Sequence, residues 1–132
     1  MIERVVIVAA LIVLVAAISV GARTLARRRA GSARGLQIPP DLLPDSALQG
    51  TSVLYFFGTQ CAQCRQQGAV LDVLEADVGT PVTRIDAARH AQLARSLGIM
   101  TVPATAVLDG GQVRTVNLGL RSRQDLEAQL AG

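Results

Sequence analysis

The sequence predicts an α/β domain with a mixed four-stranded sheet and helices on both faces, preceded by one apolar N-terminal helix. Three observations carry that expectation. Residues 5–22 run for 18 positions without a charge. From Thr51 onward, short runs rich in β-branched residues alternate with segments of helical periodicity. Near the C-terminus the pair Gly110-Gly111 separates two such runs, as an antiparallel hairpin requires.

The apolar run from Val5 to Ala22 reads VVIVAALIVLVAAISVGA. As a helix at ~1.5 Å per residue it spans about 27 Å, against a hydrocarbon layer of ~30 Å. In lipid every backbone group must be paired within the segment, which forces a helix despite the many Val and Ile residues. Residues 1–30 are therefore expected to form a transmembrane anchor with an Arg-rich flank. A cleaved leader is the competing reading, because Val20-Gly21-Ala22 offers the small residues of a cleavage site. The charges favour the anchor. Only Arg4 precedes the run, beside Glu3, whereas Arg23, Arg27, Arg28, Arg29 and Arg34 follow it. Flanking cations stay on the cytoplasmic side, so a single-pass cell-membrane protein with its domain in the cytoplasm is expected. The same arginines suit anionic headgroups, making the lipid bilayer an expected partner.

All 13 basic residues are arginine, and they are unevenly placed. Residues 1–35 hold six against one glutamate, a balance of +5, while residues 36–132 hold seven against nine acids, a balance of −2. A nucleic-acid partner needs a basic face on the folded domain, and this mildly acidic one has none to offer. Residues 31–50, GSARGLQIPPDLLPDSALQG, hold three of the five prolines and read as a linker that keeps the domain off the membrane.

Residues 51–132 are expected to form the domain. Thr51–Phe57 is a buried strand, closed by Gly58-Thr59. A helix follows from about Cys61 to Asp77, with Val70, Leu71, Val73, Leu74 and Val78 as its apolar stripe and Gly79 at its end. Val82–Ile85 is a second strand and Ala88–Leu97 a second helix, stopped by Gly98. Thr105–Leu108 and Gln112–Leu118 make the hairpin. Ser122, with Asp125 three residues on, caps a last helix anchored by Leu126 and Leu130. The order β-α-β-α-β-β-α implies two parallel crossovers and one antiparallel strand.

The chemistry rests on two cysteines. Cys61 and Cys64 are too few for a disulfide-stapled scaffold, and with His90 they fall short of a zinc ligand set, so no metal is expected. Cys61 falls at a helix N-terminus, where free N–H groups and the dipole favour a thiolate. Cys64 lies one turn on along the same face and can attack a mixed disulfide at Cys61. Cys61 is thus the expected nucleophile and Cys64 the resolving thiol. His90 and Arg65 read as solvated side chains.

The pieces YFFGTQCAQC, GIMTVPATAVLDGG and Asn117-Leu118-Gly119 resemble the thioredoxin family over roughly residues 50–131. The resemblance implies the thioredoxin fold and thiol–disulfide oxidoreductase activity without a cofactor. It also implies disulfide-containing protein clients, with a thiol reductant or membrane electron donor to recharge the pair. Pro103 resembles the family's cis-proline, which would hold the backbone of Val102 outward for an extended substrate. The neighbours of the pair depart from the family. Ala62-Gln63 replaces Gly-Pro, Gln60 replaces Trp, Ala69 stands where a kinking proline is frequent, and Tyr55 falls near the place of a buried acid. Two further readings stand beside the first. One is an extracytoplasmic thiol–disulfide protein similar to those that assist cytochrome maturation. The other is a non-catalytic binding module on the same scaffold.

Overall fold

In the computed structural model the backbone is described for residues 1–132, and the side chains for all but Ala26, Arg29, Ala30 and Ser32. Arg29, one of the flanking cations, therefore has a side chain outside the described residues. Helix α1 (Ile2–Ser32) carries the apolar run. Its Ile2–Leu25 portion has a mean hydropathy of 3.0, and none of it is buried against the rest of the chain. It is long and apolar enough to cross a membrane.

The segment after α1 is not the free spacer expected. Ala33, Ile38, Leu43 and Ala47 are buried in the main core. The Gly35 N–H donates to the Val113 carbonyl at 2.8 Å, the Val113 N–H donates to Leu36, and the Ile38 N–H donates to Gly111. Gln37 bridges Gln112 in antiparallel sense, and the short helix α2 (Asp45–Leu48) leads into the sheet. Prolines that read as linker residues here lie in a strap whose Leu36 stays exposed while Ile38, Leu43 and Ala47 face inward. Burying them removes apolar surface from water, which a free linker would forgo.

The strands are β1 (Thr51–Phe57), β2 (Val82–Asp86), β3 (Ala104–Asp109) and β4 (Gln112–Leu118), ordered β2-β1-β3-β4. β1 and β2 are parallel; β3 is antiparallel to both β1 and β4. The second crossover is thus not a parallel one as expected. The chain leaving β2 returns at the far edge of β1 running the other way, which brings the start of β3 beside the end of β1. Gly110 and Gly111, at φ of 59° and 81°, close the β3–β4 hairpin in the left-handed region that its tight turn demands.

Helices α3 (Ala62–Val78) and α5 (Arg123–Ala131) cover one face of the sheet, packing Leu71, Leu74 and Leu126 against Val53 and Tyr55. The inward stripe of α3 is Cys64, Gln67, Leu71 and Leu74, whereas Val73 and Val78 lie exposed. Gly79, at φ 74°, ends α3 with its N–H on the Glu75 carbonyl. Ser122 caps α5 by accepting from the Asp125 N–H at 3.2 Å. On the other face, α4 (Ala91–Ser96) and the strap cover Leu54, Phe56, Ala106 and Leu108. α4 starts three residues later than expected because the Asp86 carboxylate accepts from the Ala88 N–H at 2.9 Å, drawing that stretch into turns.

Replacing Ile38 by Ala tests whether the strap belongs to the core. The fully buried side chain predicts a loss of about 2–4 kcal/mol in urea unfolding of the full chain in detergent. A spacer in solvent would show no change.

Candidate redox site

The site forms where β1 ends and β3 begins. β1 delivers the chain through Gly58-Thr59-Gln60 to Cys61, which is the N-cap of α3. There the sulfur takes the place of a capping oxygen: Cys61 Sγ accepts from the Cys64 N–H at 3.1 Å. Cys61 and Cys64 are joined as a disulfide, with their Cα atoms 5.2 Å apart. Cys61 is half-buried, while Cys64 is only 4% exposed. The outer sulfur is the one a client can approach.

Across the gap, β3 begins after the Val102–Pro103 peptide bond, which is cis. The Val102 carbonyl oxygen lies 3.8 Å from Cys61 Sγ. The structure thus brings Cys61 and Cys64 together with Val102 and Pro103, although Cys61 and Val102 are 41 residues apart in sequence. Gln60, Ala62 and Gln63 are all exposed around the pair. Arg65 is exposed too. His90 is half-buried as the N-cap of α4, with Nδ1 3.3 Å from the Asp86 carbonyl, and takes no part in the site. Among the described residues no cluster of His, Cys, Asp and Glu could hold a metal.

Three features of the site are not legible in the sequence. Gly58 reads there only as the end of a strand. A Cβ at Gly58 would lie 3.0 Å from Val102 Cγ2, so a side chain there would crowd Val102 and shift it by a few tenths of an ångström. Gln67 is fully buried and locks the loop after β4 to α3. Its amide donates to the Arg121 carbonyl at 3.1 Å and accepts from the Arg121 N–H at 2.7 Å. Tyr55, buried under the pair, donates from its hydroxyl to the Cys64 carbonyl. Alternation along the strand gives the position of Tyr55 but not its partner.

Tyr55 floors a cleft of about 740 Å³ that runs past Gly58 and both cysteines and is rimmed by Arg65 and Arg84. Arg84 pairs with Asp72 and, at 3.4 Å, with Glu75. Burial pushes the Tyr55 phenol above its ordinary value. Arg84 offsets part of that push and Asp72 adds to it. The phenol therefore stays a neutral donor at physiological pH. A second, mainly apolar groove of about 410 Å³ flanks Val102 on the other side, between Met100, Ile99 and α4.

The thioredoxin family model matches residues 45–132. The chain belongs to the thioredoxin family. It is 25% identical over 81 residues to thioredoxin of Bacillus subtilis (strain 168), covering 60% of this chain and 78% of the relative. Against thioredoxin of Listeria monocytogenes it is 24% identical over 81 residues, covering 60% and 79%. Among solved structures, it superposes on a single-residue mutant of thioredoxin from Halobacterium salinarum with a TM-score of 0.63. That match has 20% identity and covers 71% of this chain and 83% of the other, a likeness of fold. Thioredoxin-2 of a malaria parasite gives a TM-score of 0.58 at 25% identity, covering 62% and 82%. Family and cysteine pair together make the protein a thiol–disulfide oxidoreductase.

Replacing Tyr55 by Phe separates its structural contribution from its titration. The Cys64 carbonyl stays within α3, so the substitution removes one buried hydrogen bond and costs about 0.5–1.5 kcal/mol at neutral pH. The native pKa of Tyr55 lies above the unfolded one. Its contribution is intact below the unfolded value of about 10 and is lost as pH rises through the native value. Unfolding followed from pH 8 upward should therefore show a steeper alkaline loss in the parent than in Tyr55→Phe.

Proposed function

We propose that this thioredoxin-family protein is a membrane-anchored thiol–disulfide oxidoreductase that reduces or exchanges disulfides of protein clients through Cys61 and Cys64. One observation carries the division of roles. The half-buried Cys61 sulfur sits at the N-terminus of α3 facing Val102, whereas Cys64 is enclosed behind it.

In the dithiol form, Cys61 meets the client as a thiolate favoured by the helix N-terminus. It attacks one sulfur of the client disulfide, forming a Cys61–client bond and releasing the other client sulfur as a thiolate. Val102 aligns the client backbone beside Cys61. Cys64, deprotonated in turn, attacks Cys61 Sγ; the Cys61–Cys64 bond forms and the second client sulfur leaves. Two electrons and two protons pass to the client. A thiol reductant or membrane electron donor returns the pair to the dithiol.

Residues 1–30 hold the protein in the cell membrane as a single span. The arginines after the span support a cytoplasmic domain through the positive-inside rule. Five arginines follow the apolar run and one precedes it, which also disfavours a cleaved leader.

Two experiments test the reading. Insulin reduction by the full chain in detergent should vanish in Cys61→Ser. In Cys64→Ser, a mixed disulfide with the client should accumulate; if both variants match the parent, the redox assignment is wrong. Topology reporters fused after Gly132 should be active only for the cytoplasm. A signal from the outer side alone would move the domain across the membrane and favour the extracytoplasmic reading.

A further inference from the structure

The helix that would span the bilayer leaves the domain at one particular end. The strap runs beside β4 in the opposite direction. Gly35 and Leu36 bond Val113 near the start of that strand, and Gln37 and Ile38 meet Gln112 and Gly111. Going back along the chain, Arg27 and Gly31 line a cleft of about 320 Å³ with Thr115, Leu118 and Arg121, along the second half of β4 and just past its end. Leu118 pairs with Ala104, and Ala104 with Phe56, so the end of β4 is the redox end of the sheet. Gln67 then ties Arg121 to α3 one turn after Cys64. A short series of contacts thus joins the exit of the apolar helix to the cysteine pair.

From this placement we propose that the redox end of the domain faces the bilayer, and that the substrate is a disulfide at headgroup depth on a membrane protein. This rests on the anchoring proposed above. Seven residues of helix lie between Leu25 and Ala33, about 10 Å of axial rise, comparable to one headgroup layer. No flexible spacer intervenes, because Ala33 is already buried in the core. The domain therefore rests on the headgroups, and α1 sets which end is down.

Charge and hydropathy at that end agree. Arg27, Arg34 and Arg121 line the junction cleft, and among the described residues no acid lines it. The Arg121 Nε is buried with no hydrogen-bond partner among the described residues. Such a cleft is complementary to a phospholipid phosphate. Met100, 69% exposed two residues before Val102, and Leu120, 38% exposed beside Arg121, present apolar side chains to the same layer. Asp86 ends β2 at the redox end of the sheet, outside that cleft, and Asp109 with the hairpin turn lies at the opposite end.

The redox chemistry is unchanged: two electrons and two protons pass from the dithiol to the client disulfide, but only clients held at the surface of the same leaflet are reached easily. The depth of each end is measured on the full chain with Cys61→Ser and Cys64→Ser. A fluorophore is attached through Gln60→Cys or Asp109→Cys, in phosphatidylcholine–phosphatidylglycerol vesicles with a quencher on the headgroups. The two ends of β1 are about 20 Å apart, so the Gln60 label should be quenched several-fold more than the Asp109 label. Equal quenching, or the reverse, in protein that floats with the vesicles overturns the orientation and leaves the anchor standing. Protein that does not float overturns the anchor and this inference with it. The parent chain in the same vesicles should reduce a single-span peptide with its disulfide next to the span about tenfold faster than one with a long Gly/Ser spacer. Equal rates, with insulin still reduced, overturn the substrate class alone.

Discussion

The contact between Cys61 Sγ and the Val102 carbonyl, 3.8 Å across the end of the sheet, is the constraint on which the rest of this molecule turns. It requires β1 to end where β3 begins, which an antiparallel β1–β3 pair achieves and a parallel one does not. It requires α3 to start at the cysteine itself, so that the sulfur takes the N-cap place and accepts the Cys64 N–H. It also favours the absence of a side chain at Gly58, where a Cβ would lie 3.0 Å from Val102 Cγ2 and push it aside by a few tenths of an ångström. Sheet order, helix start and one glycine are thus consequences of a single close approach.

The supports beneath the pair are polar, where an apolar core would be simpler. Tyr55 bonds the Cys64 carbonyl and Gln67 holds Arg121 from both ends of its amide. Each of these two buried side chains is matched, which is the condition under which such groups fix one arrangement and not several. Tyr55 fills its site as a neutral donor to backbone. It is therefore a positioning group for Cys64, and its phenol is bonded to a carbonyl and not to the sulfur.

Much of this is legible in the sequence. Strands and helices follow from alternation, helical spacing and glycine punctuation, and the capping of α5 by Ser122 is visible in its spacing to Asp125. CxxC with a distant Val-Pro indicates the pair and its opposing loop. What escapes reading is non-local. Pro-rich composition signals a lack of regular structure, not a lack of contacts, so Ile38 and Leu43 pass for linker residues although they are buried. Periodicity draws the stripe of α3 toward Val73 and Val78, because Gln67, a polar residue, takes an inward position that only its partner Arg121 explains. The direction of β3 depends on a crossover that local periodicity does not encode.

The proposed chemistry needs two unequal cysteines, an outer attacking sulfur and an enclosed resolving one. Alkylation of the reduced full chain by iodoacetamide at neutral pH, mapped by peptide mass spectrometry, tests it most directly. Cys61 is expected to be modified at least about tenfold faster than Cys64, because thiolate character and access both favour it. Equal rates, or faster modification of Cys64, would contradict it.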